Sequence, residues 1–304
     1  MQALLLILAG LIFSIASESS GLATTADAGL DVEAVTFNIR YGKANDGEHS
    51  WPYRKDAVLN LIDTCGADFI GLQESLAMQS KLVKERVGDR YGMIIRTREK
   101  RDGEGEATPL LYRLDRWTLD PKEHGTFWLS ETPDVPASRS WDTSLPRIAT
   151  WGRFIDKKTS HVVWVYNTHF DHRSAAARLG AAKLIAQRIS TDVPAGVPVI
   201  VMGDLNATPE SPPLKALLTG EGSSPRPLED AWHTKNPTET NECTFNGWAE
   251  GLKGRRIDYV LVSTGAKVTR STIMRTRVEG RPVSDHWPVE AKIVFPQSTV
   301  KTGS

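Results

Sequence analysis

Residues 197–209 read VPVIVMGDLNATP. An apolar run from Val197 to Met202 stops at Gly203, and Asp204 and Asn206 follow two positions apart, before Pro209. A short continuous apolar run closed by Gly and Pro fits a strand buried on both faces. An Asp after a strand is commonly a turn former. A carboxylate and a carboxamide together, held at the end of a rigid strand, can also form part of a site, because α/β proteins aim polar groups into a crevice this way.

The rest of the chain repeats that arrangement. Val35, Phe37 and Ile39 alternate with polar residues, which predicts a strand with one buried face and Asn38 near its end. Pro52 can start a helix, and Ala57, Val58, Leu61, Ile62 and Cys65 follow at helical spacing until Gly66. Residues 68–73, DFIGLQ, form a second strand, followed by Glu74. Residues 91–95 and 109–112 predict a hairpin around the charged loop RTREKRDGEGEAT (96–108), expected to be a solvated tip. Residues 149–155 and 161–166 predict another hairpin, with His169 just beyond it. Residues 175–189 are alanine-rich with helical periodicity, and 213–218 form a short helix. Residues 220–246 read as loop. The last strands are 256–262, which contains Asp258, and 289–295, preceded by Asp285 and His286.

Strands continue from end to end of the 304 residues without a linker or internal repeat, so one domain is expected over 29–304, with its core at 33–295. Residues 4–15 are almost purely apolar and too short to span a bilayer, and Ala26-Asp27-Ala28 follows. That pattern predicts a signal peptide over 1–28, cleaved after Ala28, and a secreted or periplasmic monomer. Acidic and basic residues balance at 37 each, and the cleaved chain is close to neutral. No strong basic patch points to nucleic acid, and no membrane span is expected. Two cysteines do not make a disulfide framework, and Cys65 is expected to be a buried free thiol.

The polar residues at the strand ends are mostly oxygen donors with two imidazoles. The chain has no G-x-S-x-G, no H-E-x-x-H and no Cys/His zinc spacing. Oxygen donors favour Mg²⁺, Mn²⁺ or Ca²⁺. A divalent ion beside histidines suits phosphate ester hydrolysis. Asp258, flanked by Ile257, Tyr259 and Val260, needs a partner if buried, and His286 is a candidate. Arg147 and Arg153 flank Trp151 and are candidate substrate-binding residues for a phosphate.

Together, TFNIR (36–40), GLQES (71–75), NTHFDH (167–172), GDLNATP (203–209), RRIDYVLV (255–262) and SDHWPV (284–289) resemble the endonuclease/exonuclease/phosphatase, or DNase I-like, superfamily. The order and approximate spacing match over residues 33–295. The segment LSETPDVPASRSWDTSLPRIATW (129–151) resembles a poorly characterised bacterial and fungal branch.

The resemblance implies an α/β fold, a four-layered α/β/β/α sandwich of two central mixed sheets with outer helices and an active site at one edge. It implies Mg²⁺- or Mn²⁺-dependent hydrolysis of phosphate esters. On that pattern Glu74 is the main metal ligand, with Asn38 and Asp285 nearby. Asp204 prepares the attacking water, Asn206 holds phosphate or water, and His169 donates to a phosphate oxygen. Asp258 and His286 form a dyad. Asp204 and His286 both qualify as the general base. A phosphodiesterase, nuclease or phosphomonoesterase is expected. The alternatives are an inositol-phosphate phosphatase, a sphingomyelinase-like enzyme or a non-catalytic binder of a phosphorylated ligand.

Overall fold

Strand β1 (Leu30–Asn38) is buried on both faces. Val32 and Ala34 pack to one side, and Val35 and Phe37 to the other, as the two-residue period of a strand requires. The alternation had suggested one buried face. The side bearing Thr36 and Asn38 is covered instead by a second sheet. The computed structural model describes residues 29–249 and 254–296; the expected signal peptide lies outside them.

One sheet runs in the order β11 (Lys267–Ile273), β12 (Val289–Phe295), β1, β2 (Phe69–Gln73), β4 (Leu110–Arg113) and β3 (Tyr91–Ile94). The other runs β9 (Leu228–Asp230), β10 (Asp258–Ser263), β8 (Val199–Asp204), β7 (Val162–His169), β6 (Ile148–Asp156) and β5 (Trp117–Trp128). In each, the middle pair is parallel, β1 with β2 and β8 with β7, and the other neighbours are antiparallel. The two mixed sheets therefore share one pairing pattern, although the sequence shows no repeat.

Three apolar layers hold them. The inner faces pack Ala34, Phe69, Val165, Met202, Val260 and Trp287 between the sheets. Helices α1 (Trp51–Thr64) and α2 (Ala77–Val87) cover the outside of the first sheet. Helices α3 (Ala175–Asp192) and α4 (Pro212–Thr219) cover the second. The result is the expected α/β/β/α sandwich.

Local signals set several helix ends. Ser174 caps α3 by accepting from the Ala177 N–H at 3.1 Å. Pro residues occupy the first turns of α1 and α4, and Gly220, at φ 77°, ends α4.

Residues 220–246, read as loop, contain β9 and a short helix α5 (Ala231–Lys235), whose Trp232 N–H donates to the Asp230 carboxylate. Strand β5 escapes the alternation rule because it is an edge strand. It carries Pro121, and its register shifts between Leu119 and His124. In α2 the buried face includes Gln79 and Ser80 beside Val83 and Val87, so its apolar period is weak. Cys65 and Cys243 are free thiols, and Cys65 is only partly buried.

A polar row lies between the sheets just below their shared edge. Gln73 Nε2 donates to Asn167 Oδ1 at 2.7 Å, and Asn167 Nδ2 donates to the carbonyls of Leu72 and Pro109, each at 2.9 Å. A Cβ on Gly71 would sit 2.5 Å from Asn167 Oδ1, so only glycine allows this approach. Truncating Asn167 removes three buried hydrogen bonds, to the Gln73 amide and to the Leu72 and Pro109 carbonyls. Asn167→Ala is expected to lower the urea-unfolding free energy by about 2–4 kcal/mol, because several buried hydrogen bonds are lost together. An unchanged unfolding midpoint would remove this clasp from the account of the fold.

Candidate active site

The inward-facing strand positions deliver the site. On β8, Val199 and Val201 point outward while Ile200, Met202 and Asp204 point between the sheets. On β7, His169 follows Val163 and Val165 on the inner face. Registers set Asp204 opposite His169 on one side and Asp258 on the other. From the first sheet, Asn38 ends β1 and Glu74 follows β2. Glu74 and Asn206 both sit in left-handed backbone, at φ 60° and 46°, a conformation costly for side-chain-bearing residues and frequent at functional sites.

Asp204 is the centre. Its Oδ2 accepts from Asn38 Nδ2 at 3.0 Å and lies 3.5 Å from His169 Nε2 and 3.8 Å from His286 Nε2. Its Oδ1 accepts from the Asn206 N–H at 2.9 Å. Asn38 Nδ2 also donates to Glu74 Oε1 at 3.1 Å, while the Asn38 carbonyl oxygen accepts from the Arg40 N–H. Asn38 thus turns its amino group to the carboxylates and joins the two sheets. Glu74 Oε2 accepts from the Tyr41 N–H at 2.6 Å. Asp285 pairs with Arg40 at 3.2 Å.

Asp258 and His286 form a dyad: Asp258 Oδ2 accepts from His286 Nδ1 at 2.9 Å. Asp258 and the neighbouring Asp204 raise His286 well above the usual imidazole range, against the opposing effect of burial. Burial first, and then Asp258, push Asp204 up to about 7. His169 is held well below its ordinary value by burial and by Arg147, so it is neutral. Asn206 Nδ2 lies 3.1 Å from His169 Nε2. An amide nitrogen only donates, so that ring nitrogen accepts and the ring proton lies on Nδ1.

Glu74, His169, Asp204, Asn206, Asp285 and His286 line a cleft of about 410 Å³, the size of a small-molecule site, with Asn38 and Asp258 buried behind them. The donor set suits a hard divalent cation. Burial raises Asp285, His286 opposes this, and Glu74 adds to it. Crowded carboxylates that retain protons are groups a cation would relieve. Asp204, Asp258 and His286 also bring one donor atom each within 4.8 Å of one another, although His286 Nδ1 already bonds Asp258.

The two arginines separate. Arg147 lines the cleft. Arg153 does not: it pairs with Asp120 of β5 at 2.6 Å, roughly 20 Å further along the strand at about 3.3 Å per residue. That both flank Trp151 in sequence hid this, because strand rise carries the second arginine away from the edge. The charged loop is also more than a solvated tip. Its Arg98 is buried, and Glu106 returns to the cleft, bonded to Arg98 at 2.6 Å. His172, inside the NTHFDH motif, lines the cleft too, as do Arg40 and Arg255. Sequence reasoning missed these groups, although His172, Arg40 and Arg255 each lie inside one of the quoted motifs.

The raised Asp204 carboxyl has a thermodynamic consequence. Folded protein binds that proton more tightly than unfolded chain, so the stability it adds is present at low pH and lost as pH rises through about 7. In EDTA, the unfolding free energy of wild type relative to Asp204→Asn is expected to fall by about 2 kcal/mol between about pH 5.5 and 8.5. A pH-independent difference would contradict the buried, proton-holding Asp204.

Comparison with known proteins agrees with this geometry. Residues 35–286 match the model of the endonuclease/exonuclease/phosphatase family. An endonuclease/exonuclease/phosphatase structure from Bacteroides vulgatus is 32% identical, covering 88% of this chain and 100% of that one, with a TM-score of 0.79. A Bacteroides thetaiotaomicron mannosyl-6-phosphatase is 29% identical, covering 87% of this chain and 100% of that one, with a TM-score of 0.73. The catalytic domain of human Nocturnin shares the fold at 17% identity, covering 88% of this chain and 96% of that one, with a TM-score of 0.67. An uncharacterized protein, L388, of Acanthamoeba polyphaga mimivirus is 26% identical over 164 residues, a match spanning 52% of this chain and 60% of the mimivirus protein. The chain belongs to the endonuclease/exonuclease/phosphatase family.

Proposed function

We propose that this chain is a Mg²⁺- or Mn²⁺-dependent hydrolase of phosphate esters, acting on small phosphomonoesters of sugar-like alcohols. The observation that carries this reading is the Asp204 carboxylate, set in a polar cleft with Asn38, His169 and His286 converging on it. Glu74 and Asp285 would hold the cation, whose charge would neutralise phosphoryl oxygens; Asn38, expected beside them, turns its amino group to Glu74 and Asp204 and engages its Oδ1 with the Arg40 N–H, so it positions the carboxylates instead.

The chain's own groups divide the remaining work. Asp204, titrating near neutrality, accepts the proton of the attacking water. The Asn206 amide, its amino group held by His169 Nε2 and the Phe170 carbonyl, presents its Oδ1 to position that water. Asp258 holds His286 with its Nδ1 proton inward, which leaves Nε2–H as a cationic donor toward the phosphoryl group. That charge favours Asp204 over His286 as the base. Neutral His169, its Nε2 accepting from the Asn206 amide, orients that side chain rather than donating to the phosphate from this nitrogen. The preference for a sugar phosphate is supported by the similarity to the mannosyl-6-phosphatase.

Residues 1–28 act as an export signal in this reading. Among the described residues no helix is long and apolar enough to cross a membrane.

Two measurements test these proposals. Hydrolysis of p-nitrophenyl phosphate should vanish in EDTA and return with Mg²⁺ or Mn²⁺, and Glu74→Gln should raise the half-maximal metal concentration about 10-fold or more, as loss of a charged ligand does. Full activity in EDTA would refute the metal assignment. Expressed with its leader in a bacterium with a periplasm, the protein should be recovered there beginning at Gly29; retention of residues 1–28 would refute the export signal.

A further inference from the structure

We infer that His172 selects the alcohol half of the substrate, its Nε2–H donating to a hydroxyl of a polyhydroxylated alcohol, with Glu106 as the matching acceptor on the same cleft wall. The inference rests on the phosphate-ester reading of the cleft.

The tautomer comes first. Arg147 Nη2 lies 2.9 Å from His172 Nδ1. A guanidinium only donates, so Nδ1 carries the lone pair and the ring proton lies on Nε2. Burial and the Arg147 charge both hold His172 below the usual imidazole range, so the ring is neutral. The neutral ring therefore has a single N–H, and its other nitrogen is already engaged.

The support is rigid. Arg147 is 5% exposed, and Asp171 lies 3.8 Å from its Nε. Asp171 in turn accepts from the backbone N–H groups of Ser144, Arg173 and Ser174, which fixes the loop that carries His172. Arg147 is thus a positioning residue. His172 itself is exposed yet lines the cleft, so its free edge meets the ligand space rather than the core.

The charge pattern decides which part of the substrate meets this wall. Arg40, paired with Asp285 at 3.2 Å, stands with the proposed cation ligands, and that part of the cleft suits the phosphoryl group. Around Arg147, which bonds His172 and lines a crevice with Glu106, the cleft offers a neutral imidazole and a carboxyl group whose charge is already balanced by Arg98 at 2.6 Å. A hydroxyl both donates and accepts, so it matches Glu106 in either protonation state together with the His172 donor. A site built to hydrogen-bond a hydroxyl discriminates strongly against a ligand that lacks one.

The test is calorimetric binding to the full mature chain, with Ca²⁺ present to occupy the carboxylates. The probes are mannose 6-phosphate and methyl phosphate. Wild type is expected to bind mannose 6-phosphate more tightly. His172→Phe should reduce that preference about 10-fold, the scale of one hydrogen bond, with methyl phosphate affinity unchanged. His172→Gln, which keeps a terminal N–H donor, should retain most of the preference. No preference in wild type, an unaltered preference in His172→Phe, or equal weakening for both probes would each overturn the assignment. Turnover of p-nitrophenyl phosphate by wild type tests the hydrolase reading separately. Binding preference without turnover would sink that reading and leave the His172 contact standing.

Discussion

The contact on which the architecture depends is the polar seam between the two sheets. Apolar packing alone has no direction and would let the sheets slide. Gln73 and Asn167, buried and hydrogen-bonded across the gap, permit one relative placement, because displacement would strand buried amides and carbonyls without partners. One layer above, Asn38 from the first sheet reaches Asp204 on the second. The active site is the open end of this seam. Its geometry is held by the same residues that align the sheets.

From that placement follow the electrostatics. Asp204, Asp258 and Asp285 are almost fully buried, and Glu74 lies beside them. Burial and crowding raise the Asp204 and Asp285 carboxyl groups and the neighbouring carboxylates hold His286 cationic. It is costly for stability and useful for hydrolysis, since it yields a base near neutrality beside a cationic donor. Arg54 supports the rim from below. It is buried, and its guanidinium donates to the carbonyls of Ile39, Arg40 and His49, which fixes the turn bearing Arg40 and Tyr41.

Elements with a strong local period were legible. The apolar run of β8, the alanine-rich α3 and the hairpin of β6 and β7 have signals that depend on neighbours along the chain. Strand β5 was not legible, because as a solvent-facing edge strand it carries no buried alternation and tolerates Pro121. Helix α2 hides Gln79 and Ser80 in its buried face, so their burial depends on partners the sequence does not display. Gln79, for example, bonds the Gly42 N–H and the Arg40 carbonyl. Arg153 was misplaced for a related reason: proximity in sequence to Trp151 said nothing of how far strand rise carries a side chain.

By itself, the sequence determined the chemical inventory: oxygen-rich donors and two imidazoles at the ends of apolar strands, without a nucleophile or a zinc pattern. Strand period also determined which face each of them occupies, because alternation is a property of the backbone. Only the tertiary structure decided which groups meet. The shared pairing pattern of the two sheets, the return of Glu106 from a charged loop and the bond between Arg147 and His172 join segments remote in the chain. Long-range contacts of this kind are selected by burial and hydrogen-bond satisfaction over the whole sandwich, and no local stretch of sequence encodes them.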